Sequence, residues 1–223
     1  MKLVAGGRGD KSAASPRAIR PLGARQSRLP RILALTDRAR APDPFAVAAS
    51  MPRGTGLVWR TYGKTPSRAE CRRLGVAVHA RNGVLLRAGV GPGPRGLSID
   101  GLHLPERVMK ATYTDRMFRH RNGQRPDQIV TAAAHSEPAI VAAAKAGVEA
   151  VLLSPVFPTA SHPGGATLGV VRFARLAHLA ASLGLFVYAL GGVTDSAKIR
   201  RLAGSGASGI ASIGYFRPRK SGE

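Results

Sequence analysis

From residue 31 onward, short apolar runs recur along the chain, each separated from the next by a stretch rich in Ala, Gly or charged residues. The runs are RILALT (31–36), GLVWR (56–60), GVLLRA (83–88), DGLHL (100–104), QIVTAA (128–133), EAVLLS (149–154), LFVYAL (185–190) and SGIASI (208–213). Near-continuous apolar runs of this kind are what strands buried on both faces require. Their alternation with segments of helical length is the signature of βαβ units and a parallel sheet. Eight such runs predict an α/β protein with a (β/α)8 TIM barrel, a single domain over residues 31–217.

Three of the intervening segments have clear helical limits. HSEPAIVAAAKAG (135–147) and ATLGVVRFARLAHLAASLG (166–184) each close on Gly, the residue that most readily takes the left-handed conformation after a helix. TDSAKIRRLAGSG (194–206) offers Thr194 or Asp195 as N-cap and also ends on Gly. Between the third and fourth strands, GVGPGPRGLSI is too rich in Gly and Pro for a full helix, so the third helix should be shortened or missing. KATYTDRMFRHRNGQRPD (110–127) has no clean period and reads as including a basic loop.

Residues 1–30 combine Arg, Ser, Ala, Gly and Pro without a sustained apolar period and are expected to form a disordered basic extension; residues 218–223 form a basic tail. The first segment lacks the apolar core of a secretory signal. The net charge is +22, of which residues 1–31 contribute +7, leaving +15 on the rest. A bias this broad suits an anionic, phosphorylated ligand. Few aromatics and no recognisable nucleic-acid motif argue against nucleic acid as a partner, and no apolar run is long enough for a membrane span. The lone Cys71 excludes an internal disulfide and agrees with a cytoplasmic location. Its neighbours in AECRRLG are basic, which could lower its pKa, but a packed, unreactive thiol is the favoured reading. A homo-oligomer is left open.

In a barrel of this kind the reactive groups gather on the loops that follow the strands, and phosphate commonly binds after strands seven and eight. ALGGV and IASIGYF occupy those two places, so Gly191, Gly192, Ile213 and Gly214 form the expected phosphate cradle; the alternative for the paired glycines is a plain tight turn. After the sixth strand, LSPVFPTASHPGGATLG is a long loop stiffened by Pro155, Pro158 and Pro163. It presents Thr159, Ser161 and His162, a donor set suited to phosphate or pyrophosphate oxygens. For His103, at the end of the fourth strand, a structural hydrogen bond is the expectation.

SPVFPTASH resembles the GPVFPT-x-TK segment of thiamine phosphate synthases. GLHLPE (101–106) is similar to that family's GVHLGQ or GVHLP segment, AAAHSEPAIVAAAKAGVEAVLLSP to its S-x-H-S/T unit, and ALGGV with SGIASIG to its AIGGI and GVAVVSAI. The chain thus resembles the thiamine phosphate synthase and thiazole tautomerase family over residues 31–217, most strongly from residue 100 onward. The resemblance implies coupling of hydroxymethylpyrimidine pyrophosphate to a thiazole phosphate, with release of pyrophosphate and with magnesium as cofactor. It places Arg60 near the pyrophosphate, Thr159, Ser161 and His162 at the Thr-x-Thr-Lys positions, and Gly192, Ile213 and Gly214 at the thiazole-phosphate amides, while Lys64, a further phosphate-binding candidate, lies farther from Arg60 than the motif's lysine.

Departures from the pattern fall on the groups that hold metal and leaving group. Trp59 stands near the expected glutamine, Arg87 appears where an Asn-Asp pair is expected, Ala133 replaces a serine, and Glu106 is the one acid near the metal aspartate's place. The metal-free alternative implied by the resemblance is the tautomerase, which moves a proton on a thiazole carboxylate phosphate using a histidine matched by His135. Histidine suits that task because its ordinary pKa is close to neutrality. A barrel that binds a phosphorylated thiamine precursor without converting it is a third reading.

Overall fold

The computed structural model describes residues 28–90, 98–109, 128–159 and 164–213. The eight apolar runs form the eight strands β1 (Ile32–Leu35), β2 (Gly56–Trp59), β3 (Leu85–Ala88), β4 (Gly101–Leu104), β5 (Ile129–Ala134), β6 (Ala150–Leu153), β7 (Phe186–Leu190) and β8 (Gly209–Ser212). Each pairs in parallel with the next, and β8 returns to β1 with Ile32 opposite Ile210 and Ala34 opposite Ser212, closing the barrel.

Six helices are described: α1 (Pro44–Ser50), α2 (Arg68–His79), α3 (Glu106–Met109), α4 (Glu137–Lys145), α5 (Gly169–Ser182) and α6 (Ser196–Arg201). Between β3 and β4 no helix occurs among the described residues; 91–97, most of the Gly/Pro-rich segment for which a shortened or missing helix is expected, lie outside them, as do 110–127. Local chemistry sets several helix starts. Asp43 accepts the Phe45 N–H at 2.8 Å ahead of Pro44, and Ser67 and Glu70 exchange the two hydrogen bonds of a capping box. Ser136 and Asp195 accept from Ala139 and Lys198 in the same way.

Because strand side chains alternate, each strand feeds two cores. Leu33, Leu35, Val58, Leu86, Leu152 and Tyr188 fill the barrel, while Leu102, Leu104, Val130, Val151 and Val187 meet the helices outside. Cys71 packs with Leu57, Leu74 and Leu85 under α2, fully buried. Burial pushes its thiol pKa up, so the basic neighbours do not activate it.

The barrel begins slightly earlier than expected. Leu29 belongs to the barrel interior at 8% exposure, the Pro30 carbonyl accepts the Tyr188 hydroxyl, and Arg28 lies 3.5 Å from Glu149. These residues cap the end of the barrel where the strands start, because an apolar Leu-Pro pair covers side chains that would otherwise face water. Residues 1–27 and 214–223, including the rest of the expected extension and the basic tail, lie outside the described residues.

Candidate active site

Alternation decides which residues face the mouth where the strands end. Val58, Ile129, Leu152 and Ala211 point inward, so Arg60, Thr131, Ala133, His135, Ser154 and Ile213 continue the same faces upward. On β4, Leu102 and Leu104 belong to the outer core, which leaves His103 inside.

His135 is held from three sides. Its backbone N–H donates to Oε2 of Glu106 at 2.9 Å, its Nδ1 lies 2.7 Å from the Ser154 carbonyl and 3.3 Å from Ser154 Oγ, and its Nε2 lies 3.9 Å from Glu106 Oε2. A carbonyl only accepts, so Nδ1 carries the proton and, in the neutral ring, Nε2 keeps its lone pair. The imidazole is 52% exposed and the Glu106 side chain 16%, so a ligand can reach the ring while the carboxylate stays beneath it. An imidazolium formed at Nε2 would find a negative charge already in place.

Glu106, the expected metal ligand, is therefore engaged with His135. Asp37, the carboxylate at the end of β1, is held by Arg40, whose Nε and Nη2 reach its two oxygens at 3.2 Å each; this pairing keeps its pKa below the ordinary value. Magnesium demands an octahedral set of oxygens. Among the described residues no group of three or more His, Cys, Asp or Glu side chains could hold a metal, and the donor set does not fit such a centre.

Arg60 follows β2 with its backbone clamped by Thr36: its N–H donates to Thr36 Oγ1 at 2.7 Å, and the same hydroxyl reaches its carbonyl at 3.5 Å. Among the described residues its guanidinium has no hydrogen-bond or ion-pair partner. Lys64 is exposed at the end of a turn closed by its N–H to the Thr61 carbonyl, with Tyr62 and Gly63 both left-handed. From the loop after β1, Arg38 stacks 5.0 Å from the Tyr62 ring centroid and its backbone N–H donates to the Tyr62 hydroxyl at 3.1 Å.

The loop after β6 is pinned at both ends. Val156 and Phe157 donate to the carbonyls of Leu190 and Gly191 at 2.9 and 3.0 Å, and Leu168 and Gly169 return to the carbonyls of Pro155 and Val156 at 2.9 and 3.0 Å. Gly191 and Gly192 have positive φ, and a Cβ on either would come within 2.7 Å of Pro155 or 2.5 Å of the Pro158 carbonyl. The paired glycines make a close turn under the loop, and this same packing sets Thr159 beside Gly191, its Cγ2 3.3 Å from where a Gly191 Cβ would stand. Ile213 ends β8 half-buried against the barrel interior. Ser161, His162 and Gly214 lie outside the described residues.

The structure adds residues that the sequence reading did not select. Ser154 fixes the His135 tautomer through its carbonyl, which carries no residue-type signal, and Thr36 clamps Arg60. Thr131, fully buried, is a third: its Oγ1 lies 2.9 Å from Nδ1 of His103, the 6% exposed histidine for which a structural hydrogen bond is expected, and reaches the Leu102 carbonyl at 3.4 Å. Burial first, and the Arg60 charge second, bring the His103 pKa down to about 3, so the ring is neutral.

A family model described as thiamine monophosphate synthase matches residues 93–216. The Aquifex aeolicus (strain VF5) protein named "Putative thiamine-phosphate synthase 2" is 36% identical over 117 residues, 52% of this chain; the match spans 57% of that protein. Among solved structures, thiamine phosphate pyrophosphorylase from Pyrococcus furiosus superposes with a TM-score of 0.60 at 19% identity, covering 83% of this chain and 86% of that one. Deoxyribose phosphate aldolase from Aeropyrum pernix superposes with a TM-score of 0.52 at 16% identity, covering 81% and 84%. At these identities the structural likenesses establish the barrel fold.

Proposed function

Because the chain belongs to the thiamine monophosphate synthase family, we propose that its barrel mouth takes a phosphorylated thiazole in thiamine biosynthesis and that His135 moves a proton on that ring. The observation that carries this reading is the fixed imidazole: Nδ1 on the Ser154 carbonyl, Nε2 open to a ligand and 3.9 Å from Glu106. In a tautomerisation, Nε2 takes a proton from one position of the substrate, the electron pair shifts within the thiazole carboxylate system, and the solvent-accessible imidazolium returns a proton, exchangeable with water, at another position. Nothing is consumed. Glu106 stabilises the transient imidazolium, and general acid–base catalysis of this kind contributes roughly 10²–10⁴-fold. The substrate phosphate would lie toward Thr159, Gly192 and Ile213, and Arg60 would meet its carboxylate.

A second reading, coupling of hydroxymethylpyrimidine pyrophosphate to thiazole phosphate, is favoured by the Arg60 guanidinium, whose planar fork suits pyrophosphate oxygens, with Lys64 as a further cation. Magnesium supplies charge neutralisation at the pyrophosphate in such chemistry, and the described residues offer it Glu106 alone.

Two assays on the same preparation separate the readings. Exchange of ring hydrogen for deuterium in the thiazole carboxylate phosphate, followed by proton NMR, supports the tautomerase. Thiamine phosphate formed from both precursors with magnesium supports coupling. Calorimetric binding of thiazole phosphate with neither turnover would leave a barrel that binds without converting, and no binding would remove all three.

A further inference from the structure

His103 is a buried histidine with one nitrogen accounted for. Thr131 Oγ1 donates to the Leu102 carbonyl, so it must accept from His103 Nδ1, which leaves Nε2 as a lone pair. Among the described residues Nε2 has no hydrogen-bond partner. The ring as a whole is 6% exposed, and Nε2 is left to accept from whatever donor reaches it.

The strand register supplies that partner. Trp59 stands opposite Arg87 and Ala88 opposite His103, so Arg60 and His103 lie at one level on β2 and β4 with only the Ala88 methyl between them. In such barrels the inward side chains of alternate strands share a layer. The carboxylates that could otherwise take the guanidinium are engaged, Asp37 by Arg40 and Glu106 by His135. Arg60 has its backbone fixed by Thr36 and its guanidinium unassigned.

We infer that His103 is a positioning residue for Arg60, its Nε2 accepting one guanidinium N–H as a ligand anion draws the side chain inward, so that the opposite edge of the fork faces the anion. The Thr131 hydroxyl holds the ring in the accepting tautomer. A neutral ring is required, since an imidazolium would have no lone pair and would repel the guanidinium, and burial keeps it neutral. The inference rests on Arg60 meeting a ligand anion, as set out above, and adds the group that aims it.

Calorimetry with inorganic pyrophosphate on the full chain tests this. Arg60→Ala and His103→Leu should each weaken binding roughly tenfold, the worth of a charge-assisted hydrogen bond. The double variant should bind no worse than Arg60→Ala alone, because both changes remove one function. His103→Gln, which can still accept, should restore most of the affinity. If Arg60→Ala weakens binding while folded His103→Leu binds as the unaltered chain does, or if the two losses add in full, the positioning role is wrong and the Arg60 reading stands. Undiminished binding by Arg60→Ala would overturn both. Should His103→Leu fail to fold, Thr131→Val, which frees the tautomer, takes its place with the same expected loss.

Discussion

Gly63 and the pair Gly191–Gly192 occupy corresponding places, each just past a strand and each with positive φ. Around Gly63 a Cβ would meet nothing within 4 Å, whereas at Gly192 it would meet the Pro158 carbonyl at 2.5 Å and Phe157 Cβ at 2.7 Å. The turn after β2 is an open surface turn; the turn after β7 is roofed by the loop from β6. The contrast extends to the two sides of the barrel. After β4 to β8, ligand-facing groups are braced by neighbouring loops, with His135 on Ser154 and Glu106 and Thr159 against Gly191. After β1 to β3, cations predominate: Arg38 and Lys64 stand exposed on short turns, and Arg60 is half-buried at the end of β2. The matched stretch begins at residue 93, so the family pattern coincides with the braced side.

The sharpest way to break this comparison is to disable the braced side. His135→Asn should reduce proton exchange on the thiazole by roughly 10²-fold or more, and melting should stay near that of the unaltered chain because the Glu106 bond to the backbone N–H is retained. Exchange at the original rate would remove His135 from the chemistry. Next in size, Gly192→Ala combines left-handed strain with a backbone clash and should cost about 2–4 kcal/mol, read by urea unfolding. A loss below about 1 kcal/mol there would mean that the roof is loose.

His103, at the border of the two sides, gives an acid signature. Its folded pKa of about 3 lies below the ordinary 6.5, so the unfolded chain takes up a proton that the barrel does not. The stability it contributes is complete above about pH 6.5 and is lost as pH falls toward 3, at up to ~1.4 kcal/mol per pH unit. His103→Gln should flatten the unfolding free energy in that window, and an unchanged slope would contradict the burial argument. The smallest effect is expected at Gly63→Ala, about 1 kcal/mol from backbone strain alone. A cost there equal to that at Gly192 would erase the distinction between the turns.

The strands were legible because each is apolar on both faces, a pattern that solvent-facing segments do not copy. α1 and α2 were harder to single out: PFAVAAS is seven residues long, and α2 buries only Cys71, Leu74, Gly75 and Val78 among charged neighbours. Their signals were present in the Asp43–Pro44 start and the Ser67–Glu70 capping box. At the site, His135 was readable from its place after β5, since strand ends fix where reactive groups gather. Its brace was not, because a carbonyl does the holding, and the His103–Thr131 contact depends on cross-strand register, which a single strand's sequence does not encode. Leu29 escaped notice because a lone leucine among Arg and Ser shows no period, although it covers the end of the barrel where the strands start.

Closure of the ring through β1 and β8 has a kinetic consequence. Ile32 and Ala34 find their second partners, Ile210 and Ser212, almost a whole chain length later, and the Pro30 carbonyl waits for Tyr188. During synthesis β1 can pair with β2 early but keeps one bare edge until the last strand emerges, the situation in which non-local pairing is slow and unpaired edges invite association between chains. The cation-bearing side is made first and spends longest as an open sheet, where mutual repulsion among its arginines would keep nascent chains apart until the seam is sealed.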